Sequence, residues 1–307
     1  SETFAGIGLL VICSALVLLA LGAVNFDLSG IPADRVTLIG SPESPIPWPT
    51  LFTGMLFIQI FYWSTNQAIT QRAMASPTVR EAQKGVLAAA AIRIMIVPAI
   101  VVLPGVVAYK LYGNIGDRAF GTLIGQLLPP WLSGIFAAIL LTSVATHFVA
   151  VLNSAAALYV CDIHQKYVNP KASVGRVNAI VSGVCILVAI AMIPVYSNAT
   201  SIINLLQQIN GLLSMPILSA FIVGLLFADV EAMAAIAGVI FGVLLYAFFT
   251  FVYAPFGLHY IHLMLVTLIL TVSFGLIVNR VIFGRTARFV GFKAAMRGAD
   301  RSGATAA

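Results

Sequence analysis

The chain has 307 residues, 61% of them hydrophobic and only 8% charged, with a mean hydropathy of +1.04. Soluble domains carry roughly a quarter charged residues, so this composition excludes one and describes a protein embedded in a bilayer. The net charge of +6 comes from sixteen Lys and Arg that lie almost wholly between apolar runs, where they report orientation rather than a nucleic-acid partner.

Apolar runs long enough to span, about 17 to 25 residues, occur at roughly 5–25, 49–70, 86–109, 133–160, 174–195, 201–227, 231–253 and 260–283. They predict about eight transmembrane helices. The runs lack the period-2 alternation of barrel strands, and only helices and closed barrels satisfy their backbones in lipid, so the fold class is an all-α membrane bundle. The first run has no basic leader and is too long for a signal-peptide core, and a chain that starts at Ser1 directly on a helix reads as one missing its beginning. Cys13, Cys161 and Cys185 sit in or at the edges of spans without paired spacing, and no disulfide is expected.

The loops set an orientation. After the first span come Asp27, Asp34 and Glu43 against Arg35, which places that loop outside. The next loop carries Arg72, Arg80 and Lys84 against Glu81, and is cytoplasmic. The loop with Lys110, Asp117 and Arg118 is mixed, and the one after it holds Lys166, Lys171 and Arg176 with Asp162. An even number of spans puts both termini of this chain in the cytoplasm, with the protein multi-pass in the cell (inner) membrane. Residues 1–284 form the transmembrane region, and 285–307 form a basic cytoplasmic tail with Arg285, Arg288, Lys293, Arg297 and Arg301.

The second span contains QIFYWSTNQAITQ, from Gln59 to Gln71. Gln59, Tyr62, Trp63, Asn66 and Gln67 follow the steps i, i+3, i+4, i+7 and i+8, so a continuous helix would gather them on one polar and aromatic face. An unsatisfied amide in hydrocarbon costs roughly 2 to 7 kcal/mol, so that face looks into protein or a watery cavity. Arg93 is the basic residue deep within a span, and it either snorkels to the headgroups or lines an internal cavity.

The span at 133–160 carries a second polar stripe, Thr142, Thr146 and Asn153, flanked by Ser143, His147 and Ser154. Single hydroxyls in membrane helices commonly bond the carbonyl one turn back, but a cluster of oxygens is what a hard cation such as sodium needs. The sixth span opens with Asn204, Gln207, Gln208 and Asn210, amides that suit either a polyhydroxylated ligand or a helix–helix clamp. Gly238 and Gly242 form a GxxxG pair that reads as packing. There is no HExxH, P-loop, GxSxG or Cys-His cluster, and of His147, His164, His259 and His262 only His147 is deep, so the chain is not read as an enzyme.

Four segments carry a resemblance. FYWSTNQAITQRAMASPTVREAQKG (61–85), VPAIVVLPGVVAY (97–109), VLNSAAALYVCDIHQKYVNP (151–170) and QQINGLLSMP (207–216) are similar, in order and spacing, to the sodium/solute symporter family, especially its bacterial sugar-transporting branch. The resemblance covers about residues 38–228. It implies an inverted-repeat, leucine-transporter-like bundle in which two sets of five helices cross around a midplane site. This chain resembles the last helix of the first set, all of the second and some peripheral helices; most of the first repeat, which the family needs for a complete site, is missing.

Carried over by position, the resemblance implies that Tyr62 is the aromatic gate over the sugar, with Trp63 its neighbour and Asn66 on the same polar face. Gln59 stands where the family usually has an Asn, Arg93 where it has a sugar-contacting Lys, and Gln207 matches a sugar-binding Gln. The family's cation positions fall on Ser143, Thr146 and His147; Ser143 and Thr146 supply oxygens for Na+, whereas an imidazole is a poor sodium ligand. The expected function is sodium-coupled transport of a hexose or similar small polar solute by alternating access, with Na+ as coupling ion and no other cofactor. The alternatives are a proton-coupled or uncoupled carrier using His147, and a transporter-like sugar sensor that does not transport.

Overall fold

The computed structural model describes residues 2–37, 39–40, 44, 46–199, 201–253 and 255–291. Glu43, Lys293, Arg297 and Arg301, and with them most of the expected basic tail, lie outside the described residues. The helices in chain order are α1 (Glu2–Ala23), α2 (Ala33–Val36), α3 (Gly54–Ser64), α4 (Gln67–Met74), α5 (Val79–Val97), α6 (Leu103–Tyr112), α7 (Ala119–Leu127), α8 (Pro130–Ala157), α9 (Val174–Ser197), α10 (Ile202–Leu226), α11 (Ala232–Phe251) and α12 (Tyr260–Val281). A two-residue antiparallel pair, β1 (Phe227–Ala228) with β2 (Arg288–Phe289), is the sheet among them.

Seven helices among the described residues are long and apolar enough to cross a membrane: Thr3–Ala23, Val79–Tyr112, Pro130–Val168, Val174–Ser197, Ile202–Leu226, Ala232–Phe251 and Tyr260–Val281. Val79–Tyr112 is α5 and α6 joined through the wide turn Pro98–Val102, and Pro130–Val168 is α8 continued by wide turns from Leu158. The start of α5 is written locally. Thr78, in extended conformation, accepts a hydrogen bond from Glu81 N at 3.2 Å, and Glu81 sits in the first turn, so the sequence TVRE caps the helix.

The residues expected as one continuous span at 49–70 form two shorter helices, α3 and α4. Pro49 starts a 3₁₀ turn at Trp48–Phe52, and α3 then runs for only 11 residues, about 16 Å, or half a bilayer core. It stops because the Ser64-Thr65-Asn66 run turns back on itself. Thr65 N and Asn66 N both donate to Phe61 O, at 3.0 and 3.1 Å, and the Thr65 hydroxyl reaches the same carbonyl at 3.0 Å. Side chains that compete for backbone carbonyls end helices in this way. The chain also crosses there from one compact unit to the other, since residues 39–66 and 203–307 form one unit and 1–38 and 67–202 the other.

In the unit of 1–38 and 67–202, α1 packs on α8, α6 and α7. Ile12, Cys13, Leu16, Ala108, Leu123, Leu128 and Phe136 form its core. Lys110 Nζ, in the last turn of α6, pairs with Asp27 Oδ2 at 3.0 Å and with the Asp27 carbonyl at 2.6 Å, which ties the end of α6 to the turn after α1.

In the unit of 39–66 and 203–307, α11 and α12 form a close antiparallel pair. Glycine permits the approach: a Cβ at Gly242 would run into Thr271 Oγ1, and one at Gly238 would stand 3.5 Å from Gly275 Cα. The packing reading of this GxxxG pair therefore describes the α11–α12 contact. A core of Ile58, Met215, Leu218, Tyr246, Ile261, Leu263, Met264 and Leu268 seats α3 and α10 on this pair. Gly54, at the start of α3, abuts the Ile261 carbonyl, and Thr53 Oγ1 lies 3.0 Å from His262 Nδ1.

Candidate functional site

The helix break divides the residues expected to share one face. Gln59, Tyr62 and Trp63 are on α3, Asn66 lies in the break with its N–H on Phe61 O, and Gln67 begins α4 in the other unit. The i+7 and i+8 steps assume a helix that stops before they are reached. On α3 itself Gln59 and Tyr62 are exposed, Trp63 is half-buried, and the Tyr62 and Trp63 rings meet edge to face at 5.5 Å and 83°. An exposed aromatic pair beside an amide offers C–H contact and hydrogen bonding together.

Gln207 belongs to the same unit and reaches the same helix. Its Nε2 lies 3.3 Å from Met55 Sδ, and Asn210 Nδ2 approaches Gln207 Oε1 at 3.5 Å. Met55 is one turn before Gln59, so Gln207 of α10 meets α3 near its start. Asn204 accepts from Tyr260 Oη at 3.2 Å. The polar opening of α10 thus acts partly as a clamp between helices, and Gln207 is the member that meets α3.

Arg93 stands on the exposed surface of α5, in the unit that lacks Gln59, Tyr62 and Gln207. The sugar set implied by resemblance is therefore split: four of its residues, Gln59, Tyr62, Trp63 and Gln207, share a unit with Asn66, and Arg93 does not.

The cation candidates all lie on α8. Thr142 Oγ1 donates to Ala138 O at 2.8 Å, and Thr146 Oγ1 is 2.9 Å from Thr142 O and 3.0 Å from Ser143 O. Each hydroxyl spends its proton on the helix and keeps oxygen lone pairs directed away from it. Ser143 Oγ lies 3.4 Å from Ala5 O on α1, so Ser143 and Thr146 are both half-buried, whereas His147 is exposed. Hydroxyl and carbonyl oxygens of this kind are the donor set a hard cation takes. Among the described residues no three of His, Cys, Asp and Glu cluster as a metal site, so a bound cation would rest on such neutral oxygens.

One contact that the sequence did not assign joins this helix to the other polar stretch. Ser154 Oγ lies 2.9 Å from Gln71 Oε1 and 3.0 Å from Ala150 O, which fastens α4 to α8. Both residues were visible as polar positions, but a separation of 83 positions along the chain hides the pairing.

Comparison with known proteins adds to this geometry. The profile of the sodium:solute symporter family matches residues 33–242. The uncharacterized symporter YidK of Escherichia coli (strain K12) is 31% identical over 297 residues, covering 91% of this chain and 51% of that protein. The sodium/glucose cotransporter of Vibrio parahaemolyticus is 31% identical over 245 residues, covering 72% and 44%. The sodium/myo-inositol cotransporter 2 of Rattus norvegicus is 28% identical over 229 residues, covering 66% and 33%. The chain thus spans about half the length of these relatives or less. A solved Na+-coupled sialic acid symporter in a substrate-bound outward-open state superposes with a TM-score of 0.68 at 16% identity, over 94% of this chain and 62% of that one, and so shares its all-α membrane fold. Taken with the seven apolar helices and the match over most of the chain, this shows an integral membrane protein that belongs to the sodium:solute symporter family.

Proposed function

We propose that the protein of which this chain forms part or all couples Na+ entry to uptake of a hexose or similar small polyhydroxylated solute by alternating access. The observation that carries the reading is the meeting of Gln207 with α3, the helix that displays Gln59, Tyr62 and Trp63. Amides supply both donors and acceptors for sugar hydroxyls, and the aromatic pair supplies a surface for the C–H face. Family membership supports sodium coupling, and relatives named for glucose and myo-inositol support a polyol. Asn66 and Arg93 complete the proposed solute set, and Ser143 and Thr146 the proposed Na+ set beside His147. We infer that helices of the family's first repeat finish both sites. The membrane is the cell (inner) membrane, residues 1–284 are the transmembrane region and 285–307 its basic tail, with both ends of the chain in the cytoplasm, as the loop charges predict.

The test is uptake of labelled glucose and galactose into vesicles that carry the full-length natural protein, under a sodium gradient, a proton gradient or none. Sodium-driven accumulation supports the reading. Accumulation driven by protons alone transfers coupling to His147, whose exposed imidazole adjoins Thr146. Saturable binding without accumulation or counterflow replaces transport by sensing.

A further inference from the structure

A groove of about 320 Å³ opens on the unit of 1–38 and 67–202, lined by none of the proposed solute or cation residues. Its walls are of two kinds. At one end stand Arg35, Tyr109 and Asn114, and from there it follows Val106, Gly105 and Val101 along the helix toward the membrane interior. The Arg35 guanidinium lies 4.7 Å over the Tyr109 ring, a contact that holds the cation at this end of the groove. Asp34 pairs with Arg35 Nε at 3.8 Å, and both side chains are largely exposed. Asp117, on the adjoining turn, is occupied with the N–H of Ile202 at 3.2 Å.

The apolar end is open by construction. Val101 is 56% and Val102 54% exposed, and a Cβ added at Gly105 would meet nothing within 4 Å. From Tyr109 to Val101 the helix climbs roughly 12 Å, most of one leaflet of a hydrocarbon core about 30 Å thick. A cation and an amide at the headgroup level, continued by an open apolar trough of leaflet depth, match one kind of molecule.

We propose that this groove binds an anionic phospholipid, with its phosphate on Arg35 and Asn114 and an acyl chain along Val106, Gly105 and Val101. Charge selects the headgroup, and the trough selects an amphiphile over a free anion. Arg35 holds the phosphate in the plane of its guanidinium, which a lysine does less well because it offers a point charge.

The experiment is native mass spectrometry of the full-length natural protein in detergent, titrated with phosphatidylglycerol, phosphatidylcholine, or glycerophosphoglycerol as the headgroup alone. The wild type is expected to retain phosphatidylglycerol about fivefold more tightly than phosphatidylcholine, the preference one interfacial cation provides. Arg35→Gln abolishes that preference, and Arg35→Lys keeps most of it. Gly105→Leu, at a position where an added Cβ meets nothing within 4 Å, fills the trough and weakens both lipids. Thermal unfolding of each variant, unchanged from wild type, shows that the protein is folded. Equal retention by wild type and Arg35→Gln overturns the proposal, and so does full retention by Gly105→Leu. Displacement by glycerophosphoglycerol as effective as by intact lipid makes the groove a free-anion site and also overturns it. The assay reads lipid occupancy, so its result is independent of whether the protein carries a sugar.

Discussion

Asn279 holds Glu231 in place. The Glu231 N–H donates to Asn279 Oδ1 at 2.8 Å, while Asn279 Nδ2 donates to the carbonyls of Asp229 and Arg285, each at 3.0 Å. One fully buried amide at the end of α12 thereby fixes the loop before α11 and the chain that returns as β2. Asp229 is held at a φ of 64°, a left-handed conformation that this carbonyl contact helps to stabilise. The same loops carry the Arg285–Glu231 ion pair at 2.9 Å.

These two contacts differ in worth. Asn279→Ala leaves three part-buried backbone groups without their partner and is expected to lower stability by about 1 to 3 kcal/mol, since water can reach some of them. Asn279→Asp keeps only the acceptor and should lose nearly as much. Glu231→Gln breaks an exposed ion pair and should cost under about 1 kcal/mol. Thermal unfolding in detergent ranks them. If Glu231→Gln is the more damaging, the clasp is electrostatic rather than a matter of buried hydrogen bonds.

The Ser154–Gln71 contact, at 2.9 Å, is a second joint with a graded outcome. Gln71→Leu lets the Ser154 hydroxyl fall back wholly on Ala150 O, a bond it already makes at 3.0 Å. Ser154→Ala removes the donor and leaves the Gln71 amide to water. Each change should cost about 1 kcal/mol, and a double-mutant cycle should show coupling of about 0.5 to 1.5 kcal/mol. Additive effects would show that α4 is held to α8 by packing alone.

Asp27 should give acid sensitivity to the turn after α1. Hydrogen bonds from the Ser29 side chain and N–H, followed by Lys110, lower its carboxyl from the ordinary 3.8 to about 2. The folded state thus favours the ionised form. Its contribution is complete above the unfolded value and is lost as pH falls from about 4 toward 2. Wild type should therefore exceed Asp27→Asn in stability at pH 5, and the difference should vanish near pH 2. A constant difference across that range would mean that the carboxyl is not differentially bound.

The long spans were legible because hydropathy integrates over many residues, whereas the capping pair Thr78 and Glu81, which that average does not see, sets the start of α5. The charged first turn with Arg80, Glu81 and Lys84 lowers the average and moved the expected boundary to residue 86. The same averaging passed over the break at Thr65 and Asn66, where two residues change the path of the chain. The polar face of Gln59, Tyr62 and Trp63 was readable from spacing, but Gln67 was not, since spacing presumes an unbroken backbone. The meeting of Gln207 with Met55 spans 152 residues and is set by packing that no local pattern records.

Cation coupling can be tested on α8 itself. Thr146 Oγ1 gives its one proton to a carbonyl, Thr142 O at 2.9 Å or Ser143 O at 3.0 Å, so the oxygen that remains is a neutral acceptor well suited to Na+. Thr146→Val keeps the shape and removes the oxygen; Thr146→Ser keeps the oxygen and removes a methyl. Half-maximal uptake by the full-length protein should need about tenfold more sodium in Thr146→Val, equivalent to about 1.4 kcal/mol for one lost ligand, and near wild-type sodium in Thr146→Ser. His147→Ser places a hydroxyl beside this oxygen in place of an imidazole that offers sodium little. If the exposed imidazole carries proton coupling, this variant should gain sodium dependence and lose proton-driven uptake. If Thr146→Val leaves the sodium requirement unchanged, the hydroxyls of α8 serve the helix alone and the coupling ion is bound elsewhere.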